Sequence, residues 1–266
     1  MSKTTDLYYL MSDQYRDPKN LDARAEMHRR FSTNPYGWFR WVFDALLKLP
    51  GDAAVLELGC GHGLLWKENA SRIPAGWHIT LSDLSPGMVD AAWRNLVVVP
   101  RSFHFEEIDA QLIPYADEVF EAVVADHMLY HVPQRATALA EVRRVLKPGG
   151  HLFAATVGEH HLEEIHQWLR RVSVDRSFES FIGPFTLENG LEQLHEYFSE
   201  VTVTRYPDEL HLAAITPMMD YVRSMIPAAE LSENELASLQ KDLEKELQTK
   251  GMICIRKDSG LFEARK

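Results

Sequence analysis

Glu57-Leu58-Gly59-Cys60-Gly61-His62-Gly63 is the stretch on which the reading of this chain turns. It follows the apolar run Ala53-Ala54-Val55-Leu56, whose composition suits a strand buried on both faces. Three glycines at alternate positions let the backbone approach a ligand where a Cβ would not fit. From Leu64 the pattern turns helical, so a helix N-terminus faces whatever occupies the loop. Strand, glycine turn and helix together read as a nucleotide cradle.

The loop also narrows the nucleotide. The dinucleotide fingerprint G-x-G-x-x-G/A needs a small third residue, and that position is Leu64. No G-x-x-x-x-G-K-S/T run is present. Glu57, two places before the first glycine, would repel a phosphate and is better matched to a cationic ligand. Asp83 stands twenty residues after Gly63, where an acid accepts hydrogen bonds from ribose hydroxyls. A nicotinamide dinucleotide would ask the same of it, so this acid alone leaves both ligand types open.

Outward from the loop the chain alternates. Strands are expected at 53–58, 78–82, 102–108, 120–125 and 151–157, and helices at 64–71, 85–95 and 136–146. Ser85-Pro86 is an N-cap followed by a proline at the first helical position. Lys147-Pro148-Gly149-Gly150 reads as a turn. Such alternation implies βαβ units and a parallel sheet with right-handed crossovers. Residues 1–34 read as an arm of short helices, and 35–49 as an amphipathic helix ended by Pro50-Gly51. Beyond Val157, helices are expected at 159–172, 187–198, 216–226 and 233–249, with strands at 200–206, 251–256 and 261–264.

At 266 residues the chain is long enough for one large α/β domain, and its net charge of −11 argues against a nucleic-acid partner. Two distant cysteines, Cys60 and Cys254, point to a reducing compartment. No signal-type apolar segment or membrane-length run is seen, so the expected location is cytoplasmic.

The glycine stretch matches E/D-x-G-x-G-x-G in full and resembles that of class I S-adenosylmethionine-dependent methyltransferases. The segments from Tyr115 to Pro133 and from Glu141 to Gly150 resemble those of the UbiE/COQ5-like branch, so the likeness covers about residues 50–157. The resemblance implies a Rossmann-like, doubly wound sheet of seven strands, mostly parallel, with the last strand antiparallel. The chain is thus expected to divide into an N-terminal helical arm over residues 1–50 and a methyltransferase domain over 51–266, in which the resemblance implies a lid insertion at about 158–200. The implied cofactor is S-adenosylmethionine and the partner a small-molecule methyl acceptor. Expected cofactor-binding residues are Glu57, Gly59, Gly61, Asp83, Leu84, Met88, Asp109, Ala110 and Asp126, with Arg40 on the carboxylate of the methionine moiety. The family pattern puts an adenine contact on Asp109 and the following N–H. His131 is the candidate general base; His127, four residues earlier, would share its face on a helix. The spacing of the histidines does not form a recognised metal site. Asp126-His127-Met128-Leu129 stands where amino-methylating nucleic-acid enzymes carry N/D-P-P-Y/W, which lowers that alternative. The competing readings are an NAD(P)-dependent oxidoreductase and a protein that binds S-adenosylmethionine without turnover. The aromatic-rich arm leaves a dimer contact open.

Overall fold

The computed structural model describes residues 3, 5–172, 183–225 and 231–266. The arm comprises α1 (Leu7–Tyr9), a π-helical turn (Leu10–Gln14), α2 (Lys19–Phe31) and α3 (Trp38–Leu46). The alternating region follows: β1 (Ala54–Leu58), α4 (Leu64–Glu68), β2 (His78–Asp83), α5 (Pro86–Leu96), β3 (Phe103–Glu107), β4 (Phe120–Asp126), α6 (Arg135–Val145) and β5 (Leu146–Val157). The remainder is α7 (Glu163–Val172), α8 (Gly190–His195), β6 (Glu200–Tyr206), β7 (Glu209–Leu212), α9 (Thr216–Ser224), α10 (Glu233–Lys250), β8 (Ile253–Arg256) and β9 (Ser259–Arg265).

Seven strands form one sheet in the order β3-β2-β1-β4-β5-β9-β6. Strands β1 to β5 pair in parallel, while β9 is antiparallel to both β5 and β6. The strand order reverses between β1 and β4, and the carboxyl ends of those strands flank the crevice where such sheets bind ligands. Alternation along β1 sends Leu56 and Leu58 to one buried face of the sheet and Val55 to the other. Both faces are covered by apolar side chains, which is why the inner strands read as continuous apolar runs. The expected turn at 147–150 is an irregularity within β5: the register with β4 jumps from Phe120↔Leu146 to Ala122↔His151. Gly149, at φ +76°, takes the left-handed backbone there.

The C-terminal third differs from expectation. The strand expected at 251–256 leaves the main sheet and pairs as β8 with β7, which periodicity did not reveal. These two strands join Met27 and Phe31 of α2, Ile165 and Leu169 of α7, and apolar residues of α9 and α10 in a second core. That core is a cap built from three separated segments. The segment expected as a lid, 158–200, is divided by the fold. Its α7 belongs to the cap, but Phe185, Leu187, Leu194 and Phe198 pack in the main core. The irregular stretch at 173–182 and the end of the expected helix at Ile226 lie outside the described residues.

Candidate active site

The glycine loop is left-handed at each of its three glycines, with φ of +67°, +53° and +76° at Gly59, Gly61 and Gly63. A Cβ at Gly59 would lie 2.7 Å from the Cβ of Met128, and one at Gly61 2.9 Å from Cδ2 of Leu21 on the arm. A Cβ at Gly63 would meet Leu96 of α5 at 2.9 Å. Glycine here serves positive φ and close packing by neighbouring protein. The loop stays open toward a cavity of about 1110 Å³ between the strand ends and the cap.

Four acids at or just past strand ends line this cavity, as do Asp22 and Glu26 of α2 and Glu68 of α4. Glu57, at the end of β1, is 2% exposed, and its Oε2 accepts from Trp66 Nε1 at 2.6 Å. Burial pushes its carboxyl up to about 8 against the pull of that bond, and Asp126 and Asp83 push the same way. Asp83, ending β2, accepts from Gly61 N and from Ser85 N, both at 2.9 Å. It thereby holds the glycine loop and the start of α5 while keeping lone pairs for a ligand. Burial pushes it up to about 6, against the backbone donors of Ser85, Gly61 and Leu84. Asp109 follows β3 and is engaged by Gln111, whose backbone and side-chain N–H groups donate to Oδ1 at 2.9 and 3.0 Å. Asp126, ending β4, receives Trp38 Nε1 at 3.3 Å on both oxygens. Leu84, Met88 and Ala110 also line the cavity.

The arm covers this cleft. Ser85 Oγ donates to Tyr15 O at 2.7 Å, and a Cβ at Gly87 would lie 2.0 Å from Arg16 O. Trp38 lies 5.0 Å from the His127 ring and 5.5 Å from that of Tyr206. At the base of the cap, Asp208 accepts from Ser32 Oγ at 2.5 Å and Asn34 N at 3.0 Å, and pairs with buried Lys257. This cluster ties the end of α2 to the cap.

Two expectations change. Arg40 is exposed, its guanidinium lies 5.2 Å from the Tyr36 ring centroid, and it does not line the cavity. α3 turns Val42, Phe43 and Leu46 into the core, which leaves Arg40 on the outer face. His127 and His131 share no helix: His127 has φ +57°, and His131 closes a short 3₁₀ turn, Leu129–His131. Both nevertheless line the cavity, and His131 Nε2 is 2.9 Å from Tyr15 Oη. Burial lowers His127, while neighbouring Asp126 works against that shift. Among the described residues no group of three or more His, Cys, Asp or Glu is placed to hold a metal ion.

Sequence reasoning missed Arg24, His28, Tyr130, His161, Tyr221 and Lys257, which line the same cavity. Arg24, His28 and Phe31 fall at i, i+4 and i+7, so one helical stripe carries both the apolar anchor and two polar groups. That stripe was the available signal.

The fold is a doubly wound α/β sheet whose strand-end acids meet the glycine loop in one cavity. Residues 56–154 match the family described as "Methyltransferase domain". The methyltransferase-domain match thus falls on the stretch from β1 into β5, where the sequence resemblance lay. It is 35% identical over 157 residues to the biotin biosynthesis bifunctional protein BioCD of Bordetella avium, covering 56% of this chain and 32% of that one. It is 27% identical over 167 residues to the ubiquinone/menaquinone biosynthesis C-methyltransferase UbiE of Vibrio parahaemolyticus, covering 62% and 61%. The solved structure of Haemonchus contortus phosphoethanolamine N-methyltransferase 2 with S-adenosyl-L-methionine has a similar fold. Its TM-score is 0.61 at 19% identity, covering 100% of this chain and 60% of that one. The chain spans between 32% and 62% of the length of the first curated relatives it matches. Among the described residues no helix is long and apolar enough to cross a membrane.

Proposed function

We propose that this protein moves the S-methyl group of S-adenosylmethionine to a small-molecule acceptor. One observation carries the reading: Glu57, Asp83, Asp109 and Asp126 line a single cavity with the glycine loop, beneath the arm. The residues fit the cofactor in kind: a buried acid for a cation, an acid at the end of β2 for ribose hydroxyls, and a bend that keeps Cβ atoms away.

When bound, S-adenosylmethionine supplies an electrophilic methyl on a positively charged sulfur. Asp83 orients the ribose while fixing the loop. Glu57 would give up its proton to a cation seated beside it, and its buried charge would then hold that cation. Leu84 and Met88 would hold the adenine face, and Asp109 and Ala110 would offer hydrogen-bonding partners to its edge. Arm and cap exclude water and align the acceptor; positioning of this kind supplies about 7–11 kcal/mol of a barrier. His131, which hydrogen-bonds Tyr15, is the group that would receive a proton from an acceptor hydroxyl or ammonium. The free cysteines, Cys60 buried and Cys254 exposed, support a reducing, cytoplasmic setting.

The test is incubation with isotope-labelled S-adenosylmethionine in a metabolite extract, with mass spectrometry of labelled products. Calorimetry alongside compares S-adenosylhomocysteine with NAD. A labelled product and binding of the first ligand alone are expected. Binding of NAD in its place would overturn the reading, and cofactor binding without any labelled product would reduce it to a binding protein.

A further inference from the structure

The cap half of the cavity holds a guanidinium that has no counter-ion among the described residues. Arg24 sits on α2 and lines the cavity. Its Nε donates to Asn20 O at 3.2 Å, and its Nη2 is shielded from solvent with no hydrogen-bond partner among the described residues. The guanidinium lies 5.4 Å from the Tyr15 ring centroid. The ionisable groups acting on it are the phenols Tyr15, Tyr221 and Tyr130; no carboxylate is among them. The acids nearest in sequence are engaged elsewhere: Asp22 faces His62 at 3.4 Å, and Glu26 pairs with Arg29. A buried N–H of a charged group left unpaired is costly, and native structures rarely keep one without a use.

The surroundings keep this charge free. His28 and His161, stacked at 6.4 Å, are driven to the neutral form by burial, with nearby cations adding to the effect. Lys257 is matched by Asp208. The four acids of the cofactor half end β1, β2, β3 and β4, whereas Arg24 comes from the arm and Tyr221 from the cap. The strand-end carboxylates thus lie toward the cofactor, while Arg24, whose α2 neighbours Asp22 and Glu26 also line the cavity but are paired elsewhere, faces the phenols toward the acceptor.

We propose that the methyl acceptor carries an anionic group and that Arg24, with Tyr130 and Tyr221, receives it. Arginine is suited to this because its planar fork matches an oxyanion in two bonds and is weakly hydrated. Tyr15 links the subsite to the proposed chemistry, since it lies against Arg24 and hydrogen-bonds His131. The anion would thus anchor the acceptor with its reacting atom toward His131 and the cofactor. This rests on the methyltransferase reading above.

The test uses the full chain saturated with S-adenosylhomocysteine, titrated with benzoate, phenylacetate, hexanoate and inorganic phosphate, and with benzamide, phenylacetamide and hexanamide as neutral counterparts. At least one anion is expected to bind tenfold or more tightly than its amide, or, for phosphate, to bind competitively with the best carboxylate. Arg24→Met should abolish that preference without changing S-adenosylhomocysteine affinity, and Arg24→Lys should keep part of it. Because Arg24→Met removes an unmatched buried charge, its melting temperature should hold or rise, which separates lost recognition from lost folding. No anion binding above its neutral counterpart would overturn the proposal, as would a preference that survives in Arg24→Met. Failure of S-adenosylhomocysteine to bind would count against the cofactor reading alone. The anion titration is then made on the free protein, where the same preference supports the subsite and the same two failures overturn it.

Discussion

Replacing Glu57 by Gln tests the electrostatic core of the site. In the free protein the Glu57 carboxyl holds its proton up to about pH 8, because the group is buried and the single donation from Trp66 seen among the described residues does not offset that burial. A cation seated beside it needs the ionised form, so binding must expel a proton. With a free-state value of about 8, the ionised fraction is about 3% at pH 6.5 and about half at pH 8, so affinity rises about fifteenfold across that window. In free energy this is about 1.6 kcal/mol at 1.4 kcal/mol per decade. Asp83, pushed up to about 6, is largely ionised throughout the window and adds little slope. The assay is calorimetric titration with S-adenosylmethionine at several pH values, in buffers of different ionisation heat, which counts the protons released. Titration of the ligand's own amino group is common to both proteins and cancels in their ratio. Wild-type affinity relative to Glu57→Gln should climb about fifteenfold from pH 6.5 to 8. Stability gives a second readout with the sign fixed. An acid whose folded value is raised binds more protons folded than unfolded, so stability falls as pH rises from the unfolded value toward 8. Glu57→Gln should therefore melt higher than wild type at pH 8 and nearly alike at pH 5. A pH-independent ratio of affinities, with no proton released by the wild type, would rule out this role for Glu57.

Asp83→Asn leaves one oxygen to serve donors from Gly61 and Ser85, and charge-assisted bonds of this kind are worth about 1.5–3 kcal/mol. Cofactor affinity should fall about ten- to hundredfold by calorimetry, and a change under twofold would count against ribose binding. Gly59→Ala forces positive φ on a side chain and presses on Met128, so chemical denaturation should register a loss of about 2–4 kcal/mol. Adding Met128→Gly, which removes the Cβ in contact, should recover only the packing share. Asp208→Ala strands Lys257 in the interior and frees Ser32 and Asn34; the loss should be about 3–5 kcal/mol, with early proteolysis of the arm. A melting curve unchanged from wild type would show that this pair does not fasten the arm.

The glycine loop, the strands around it and the acids at their ends were legible in the order of residues. These signals are local: a strand buried on both faces must be apolar, a left-handed turn requires glycine, and an acid ending a strand is read from its spacing. The mostly parallel sheet followed from the alternation, and its seven strands and antiparallel β9 from the family likeness. The cap was not legible, because α2, α7 and the segment from β7 to β8 find one another only through complementary apolar faces in the folded chain. Folding also moved Arg40 outside, since only packing reveals which side of α3 meets the core. It brought Arg24 beside Tyr221, nearly two hundred positions away in the chain and near in space because α2 lies against α9. Periodicity records which face of an element is buried; it carries no record of which distant element buries it.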